Sequence, residues 1–309
     1  MLPHELASAV VPESEAKLSH IGGFARRSIK RAGALTSRPF TTRQADASRV
    51  VGLCYHSIHP NGVFASATPQ MFERHLFWLR ENCDAIPFRA ILDVASSNGR
   101  LRPAVAVTFD DGYADNYDFA FPLLRKYEVP ATIFLTVGLI DGNPEVWARF
   151  RELRGTPDTD IRPLEWSQIR ELRDEGVEMG AHTYSHPNLM TIGRAQATSE
   201  LQVSKEILEE RLGITVDLHA YPFGKARRHF DRTTLDLVRN AGYSHAATVL
   251  SRAVKPSDSP FEIPRFFTTG DSVADLAGKI RGEWDYLGVW QERAPLAVAR
   301  IVSPGDFRF

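Results

Sequence analysis

The sequence predicts an α/β fold built on a parallel sheet, open or closed into a barrel, and three observations predict it. Short apolar segments at residues 51–55, 104–109, 131–136, 177–181, 216–221, 245–249 and 263–267 read as buried strands. Stretches of helical character separate them, and strand–helix alternation is the pattern of a parallel sheet. Residues able to do chemistry gather just beyond the ends of several strands, where parallel sheets and barrels keep their functional groups.

The helices carry their own signals. Thr68-Pro69 offers an N-cap followed by proline at the first helical position, and Phe72, Leu76 and Leu79 then recur at helical spacing. A longer helix is expected from about Arg194 to Leu212, with Ala197, Leu201, Leu208 and Leu212 on one face and Gly213 as its stop. Residues 271–281 read as one more helix. The aromatics beyond it, Trp284, Tyr286 and Trp290, fit packing of a terminal segment onto the barrel better than stacking on sugar rings.

Composition limits the function classes. The chain has 309 residues, 43% hydrophobic and 24% charged, with a formal net charge of -1. It has ample material for a large core and no charge excess that would point to nucleic acid. Cys54 and Cys83 are the only cysteines, which excludes a disulfide framework and argues against zinc held by a cysteine cluster. No apolar run approaches the roughly 20 residues that span a bilayer. The first residues lack the basic-then-apolar order of a secretory signal, so the default expectation is a cytoplasmic protein. Residues 1–48 form an expected N-terminal extension. Between residues 22 and 44 it holds six basic residues and no acid (Arg26, Arg27, Lys30, Arg31, Arg38, Arg43). A solvated leader is the plain reading of such a stretch, and contact with an anionic surface is the functional one. Residues 49–270 are the expected catalytic barrel and 271–309 a helical and aromatic extension.

Four strand ends carry candidate chemistry. Thr108-Phe109-Asp110-Asp111-Gly112-Tyr113 closes a strand with adjacent carboxylates, which repel unless a cation or a turn accounts for them, and Gly112 permits a sharp bend. His182-Thr183-Tyr184-Ser185-His186-Pro187 places two histidines four apart. Thr183 stands where a helical zinc protease has its glutamate, and Pro187 biases His186 away from helix, so the pair belongs on a loop. Two imidazoles and one carboxylate form a facial triad suited to Zn²⁺ or another first-row divalent ion. Tyr221-Pro222-Phe223-Gly224 is a rigid turn able to aim a backbone N–H at an oxyanion. Tyr55-His56 ends the first strand.

Thr108-Phe109-Asp110-Asp111-Gly112 followed by His182-Thr183-x-x-His186 resembles the first two motifs of the polysaccharide deacetylases, the NodB-homology or carbohydrate esterase 4 family. The resemblance implies a distorted (β/α)7 barrel of parallel strands, with Asp110 as general base and Asp111, His182 and His186 as metal ligands. It also implies a divalent ion, Zn²⁺ first with Co²⁺, Ni²⁺ and Mn²⁺ as alternatives, and an N-acetylated oligo- or polysaccharide substrate. Two departures stand out. The third family motif, usually Arg-x-Pro-Tyr, reads Ala220-Tyr221-Pro222-Phe223 here and lacks its arginine. No histidine follows His245, so the usual late general acid is missing. The early Tyr-His and the Tyr-Pro-Phe-Gly turn look more like the branch acting on poly-N-acetylglucosamine. The acid role therefore moves to His56, the Phe223 N–H becomes the oxyanion donor, and Arg265 replaces the missing arginine. Competing readings are a C–N hydrolase of the same barrel acting on a cyclic amide or ureide, and an idle carbohydrate-binding homologue.

Overall fold

Seven parallel strands run in the order β7-β6-β5-β4-β3-β1-β8. They are β1 (Val50–Tyr55), β3 (Ala104–Phe109), β4 (Ala131–Leu135), β5 (Glu178–Ala181), β6 (Leu218–Ala220), β7 (His245–Ala247) and β8 (Arg265–Phe267), and a two-residue strand, β2 (Asp84–Ala85), also pairs with β3. The structure is a computed structural model, and it describes residues 46–61, 66–154 and 162–293. A parallel bridge between Ala247 and Ile263 joins the two ends of the strand order, so the sheet closes on itself as a seven-stranded barrel. The predicted basic stretch, and residues 294–309, lie outside the described residues.

The seven strands are those the apolar segments predict, trimmed by a residue or two at some ends. The trimmed positions, such as Thr136 and Tyr221, lie where ladder pairing gives way to turns, and Tyr221 leads into the loop that holds Phe223. β1 and β3 are buried throughout, as expected of strands covered on both faces. Their register pairs Val50 with Ala104 and Tyr55 with Phe109, so both end at the same level. β8 joins the other edge of β1, with Gly52 opposite Arg265.

The helices fall where the capping residues place them. Thr68 accepts a hydrogen bond from Met71 N–H and Pro69 opens helix Pro69–Asn82, with Phe72, Leu76 and Leu79 buried. Helix Arg194–Leu212 buries Ala197, Leu201, Leu208 and Leu212 and stops at Gly213 in the left-handed conformation. Helix Val273–Arg281, capped by Ser272, sends Leu276 and Ile280 into the same core as the barrel strands. Both cysteines are buried free thiols. Among the described residues no helix is long and apolar enough to cross a membrane.

Candidate active site

The loops leaving β3 and β5 bring together three buried side chains that could hold a metal ion. One ligand atom each from Asp111, His182 and His186 lie within 4.8 Å of one another. Both histidine Nε2 atoms sit 3.6 Å from Asp111 Oδ1, too far for hydrogen bonds. Ligands held at roughly 2.1 Å from one tetrahedral ion are about 3.4 Å apart, so this spacing fits a shared metal. Orientation agrees with that fit. His182 Nδ1 donates to Ala220 O at 2.7 Å, which leaves the Nε2 lone pair for the centre. The Tyr113 hydroxyl donates to Asp111 Oδ2 at 2.9 Å and turns Oδ1 inward. Burial, reinforced by neighbouring His182, pushes His186 down to about 3, so its imidazole is neutral, as a ligand must be.

This arrangement strains the backbone. Asp111, Thr183, His186 and Phe223 all have positive φ, at 77°, 65°, 55° and 61°. Outside glycine such conformations cost about 1–2 kcal/mol each, and they cluster where geometry serves function. Pro187 does keep His186 out of helical angles, but the residue turns left-handed rather than extended. Gly112, at φ 89°, follows Asp111, and a Cβ there would lie 3.0 Å from Leu135 Cδ2. The Phe223 ring, exposed among otherwise buried groups, packs 4.8 Å from the His186 ring. Its N–H makes no hydrogen bond among the described residues.

Asp110 faces a different set of partners. Arg265, fully buried, clasps it with two hydrogen bonds, Nη1 to Oδ1 at 2.7 Å and Nη2 to Oδ2 at 2.8 Å. Arg265 also donates to Thr108 Oγ1 and to the Thr248 carbonyl, which fixes the guanidinium plane. Gly52 leaves the room it needs, since a Cβ there would fall 2.8 Å from Arg265 Cγ. Burial alone would raise the Asp110 pKa, but Arg265, with His182 behind it, holds the carboxyl below the usual carboxylate range. A ring nitrogen of His56, Cys54 Sγ and an Asp110 oxygen also lie within 4.8 Å of one another. The guanidinium on Asp110 makes that trio a poor cation site. Burial pushes the Cys54 thiol up, so it stays protonated and donates to Asp110 at 3.3 Å.

His56 is partly exposed and packs 5.0 Å from the Phe267 ring. Its loop is pinned from the segment after the Asp-Asp pair. Asn116 Nδ2 donates to His56 O at 2.7 Å, and Asp115 accepts from Ile58 N–H and the Ser57 hydroxyl. Asp110, Asp111, His182, His186, Phe223 and His56 thus follow the C-terminal ends of their strands, whereas Arg265 opens β8 and reaches Asp110 with its side chain. Sequence reasoning missed Tyr113, Asp115, Asn116 and Thr108 as partners. The proximity of the first three to the Asp-Asp pair was the available signal.

A buried trio able to hold a metal ion beside an ionised carboxylate is the equipment of a metal-assisted hydrolase. Residues 98–246 match the family model described as polysaccharide deacetylase. Among curated proteins the chain is 27% identical over 215 residues to the Bacillus subtilis protein YxkH, covering 69% of each chain. It is 24% identical over 225 residues to a poly-β-1,6-N-acetyl-D-glucosamine N-deacetylase of Staphylococcus aureus, covering 71% of this chain and 72% of the other. Among solved structures, IcaB from Ammonifex degensii superposes with a TM-score of 0.61 at 26% identity, over 76% of this chain and 97% of that one. The Streptococcus pyogenes deacetylase PplD gives 0.62 at 23% identity over 75% and 98%, a likeness of fold.

Proposed function

We propose that the chain removes acetyl groups from N-acetylglucosamine units of an oligo- or polysaccharide, using Asp111, His182 and His186 to hold a Zn²⁺ ion. The observation that carries this reading is the side-by-side placement of the ligand trio and the Arg265-clasped Asp110. The similar Staphylococcus aureus protein named for poly-β-1,6-N-acetyl-D-glucosamine supports the choice of sugar. When bound, the ion supplies Lewis acidity, polarising a carbonyl and acidifying water.

The chain's own residues do the rest. Asp110 accepts the proton of the attacking water, and Arg265 keeps that carboxylate ionised and oriented at neutral pH. The Phe223 N–H donates to the oxygen that gains charge as the carbonyl becomes tetrahedral. His56 delivers a proton to the departing nitrogen, without which an amine leaves poorly. The Phe223 ring offers a flat apolar surface beside His186 on which a sugar ring can rest.

Acetate release from N-acetylglucosamine oligomers, measured beside cyclic ureides and beside protein stripped with a chelator, tests this function. Turnover of the oligomers alone, lost on stripping and restored by Zn²⁺, is the expected result. Turnover of the ureides alone moves the chain to small C–N substrates. Binding of oligomers without acetate release makes it an idle lectin-like homologue.

A further inference from the structure

The loop between the two histidines is held from outside by one buried acid that the reaction does not use. Glu200, on helix Arg194–Leu212, is 8% exposed. Its carboxylate accepts the Tyr184 N–H at 3.0 Å, the Ser185 N–H at 2.7 Å and the Ser185 hydroxyl at 2.6 Å. These residues form the middle of the His182–His186 connection, flanked by the left-handed Thr183 and His186. Inside the loop, Thr183 Oγ1 accepts the His186 N–H at 3.0 Å. On its far side, Val137 and Gly138 N–H groups donate to the carbonyls of Thr183 and Tyr184. Glu200 has no ion pair among the described residues, so these three donors offset the cost of burying its charge.

We propose that Glu200 is a positioning residue for the metal site: it fixes the left-handed turn that aims His186 Nε2 at Asp111 Oδ1. The proposal rests on reading Asp111, His182 and His186 as ligands. A carboxylate suits the task because one oxygen, Oε2, takes both adjacent backbone N–H groups while Oε1 takes the Ser185 hydroxyl, so the loop cannot relax without losing them. Relaxation would swing the His186 ring away from a centre that tolerates little displacement, and partners outside the ligand set typically govern affinity in this way.

The test uses full-length chain, stripped of metal, as wild type, Glu200→Ala, Glu200→Gln, His182→Ala and Glu209→Ala. Glu209, on the same helix, accepts the Val216 N–H at 3.0 Å and serves as a structural control. Zn²⁺ affinity by chelator competition, the Co²⁺ absorption spectrum and urea unfolding of the stripped protein are measured. Glu200→Ala should weaken Zn²⁺ binding about 10- to 100-fold and alter the Co²⁺ spectrum. Glu200→Gln should lose less, because the amide oxygen still accepts, and it decides the matter if the alanine variant does not fold. Glu209→Ala should bind Zn²⁺ like wild type whatever its stability. Wild-type affinity and spectrum in both Glu200 variants would overturn the proposal, leaving Glu200 as a loop anchor. If His182→Ala also bound Zn²⁺ like wild type, the ligand assignment itself would fall, and this proposal with it.

Discussion

The two halves of the site are built by different means. Asp111, His182 and His186 sit on loops that bend through left-handed backbone, and local hydrogen bonds from Tyr113, Thr183 and Glu200 hold them there. Asp110, Arg265 and His56 instead begin, end or adjoin the three neighbouring strands β8, β1 and β3. Their alignment comes from register: Gly52 lies opposite Arg265, and Cys54 opposite Thr108. The ligand half also falls inside the segment 98–246 that matches the family, whereas His56 and Arg265 flank it. The proposed metal trio is thus a local construction, while the proposed proton-handling group is assembled across the whole length of the barrel.

That contrast sets the expected sizes of several perturbations. The largest effect should follow His182→Ala or His186→Ala, which remove a ligand from a set of three. Metal analysis of the purified variants should find the ion gone and acetate release at background. Full occupancy in both would dissolve the ligand half as described.

Breaking the register-built half should leave the ion in place. Arg265→Met strands a buried carboxylate, at a cost of about 3–5 kcal/mol. Adding Asp110→Asn should recover much of that stability, and urea midpoints of the single and double variants check it. Because Arg265 holds the Asp110 carboxyl down, its loss should raise that pKa and move the acid limb of the rate profile to higher pH. An unmoved limb, in a variant that still binds metal, would separate Arg265 from Asp110 in function.

His56→Ala sharpens the comparison further, since a general acid matters in proportion to how poorly the leaving group departs. Turnover of an N-acetylated amine should fall about 10²- to 10⁴-fold, with a much smaller loss for nitrophenyl acetate and no loss of metal. Equal losses on both substrates would make His56 structural.

The smallest effect is one of pH on the metal-free protein. Burial pushes His186 down to about 3 and His219, packed between Tyr221 and Tyr243, well below its ordinary value of 6.5. Below 6.5 the unfolded chain takes up protons that these folded imidazoles refuse. Stability should therefore fall as pH drops from 6.5 towards 3, by at most about 1.4 kcal/mol per pH unit for each group. Urea midpoints in chelator at pH 7.5, 6.5 and 5.5 measure this, and a flat series would mean that the stripped site opens to water.

The same contrast explains what the sequence made legible. The seven strands and the long helices carry dense local signals, apolar runs and caps at Thr68 and Gly213, so their positions are readable within a residue or two. The Asp-Asp-Gly and His-x-x-x-His pairs are equally local. Arg265 is a lone arginine in an ordinary apolar strand, and only closure of the barrel places it on Asp110, 155 positions away. Glu200 is less visible still, one acid among several on an amphipathic helix. Its role depends on backbone N–H groups of a loop, which leave no trace in residue types. Tyr113 and Asn116 lie close to a readable motif but point at partners the motif does not contain.

Asp110 and Asp111 are adjacent in sequence yet belong to opposite halves, so their asparagine variants compare the two with least other change. Metal content and acetate release should be measured together on Asp110→Asn and Asp111→Asn. Asp110→Asn should keep one divalent ion per chain and lose nearly all deacetylation, while Asp111→Asn should lose the ion itself. Retention of metal by Asp111→Asn together with its loss from Asp110→Asn would contradict this division of the site.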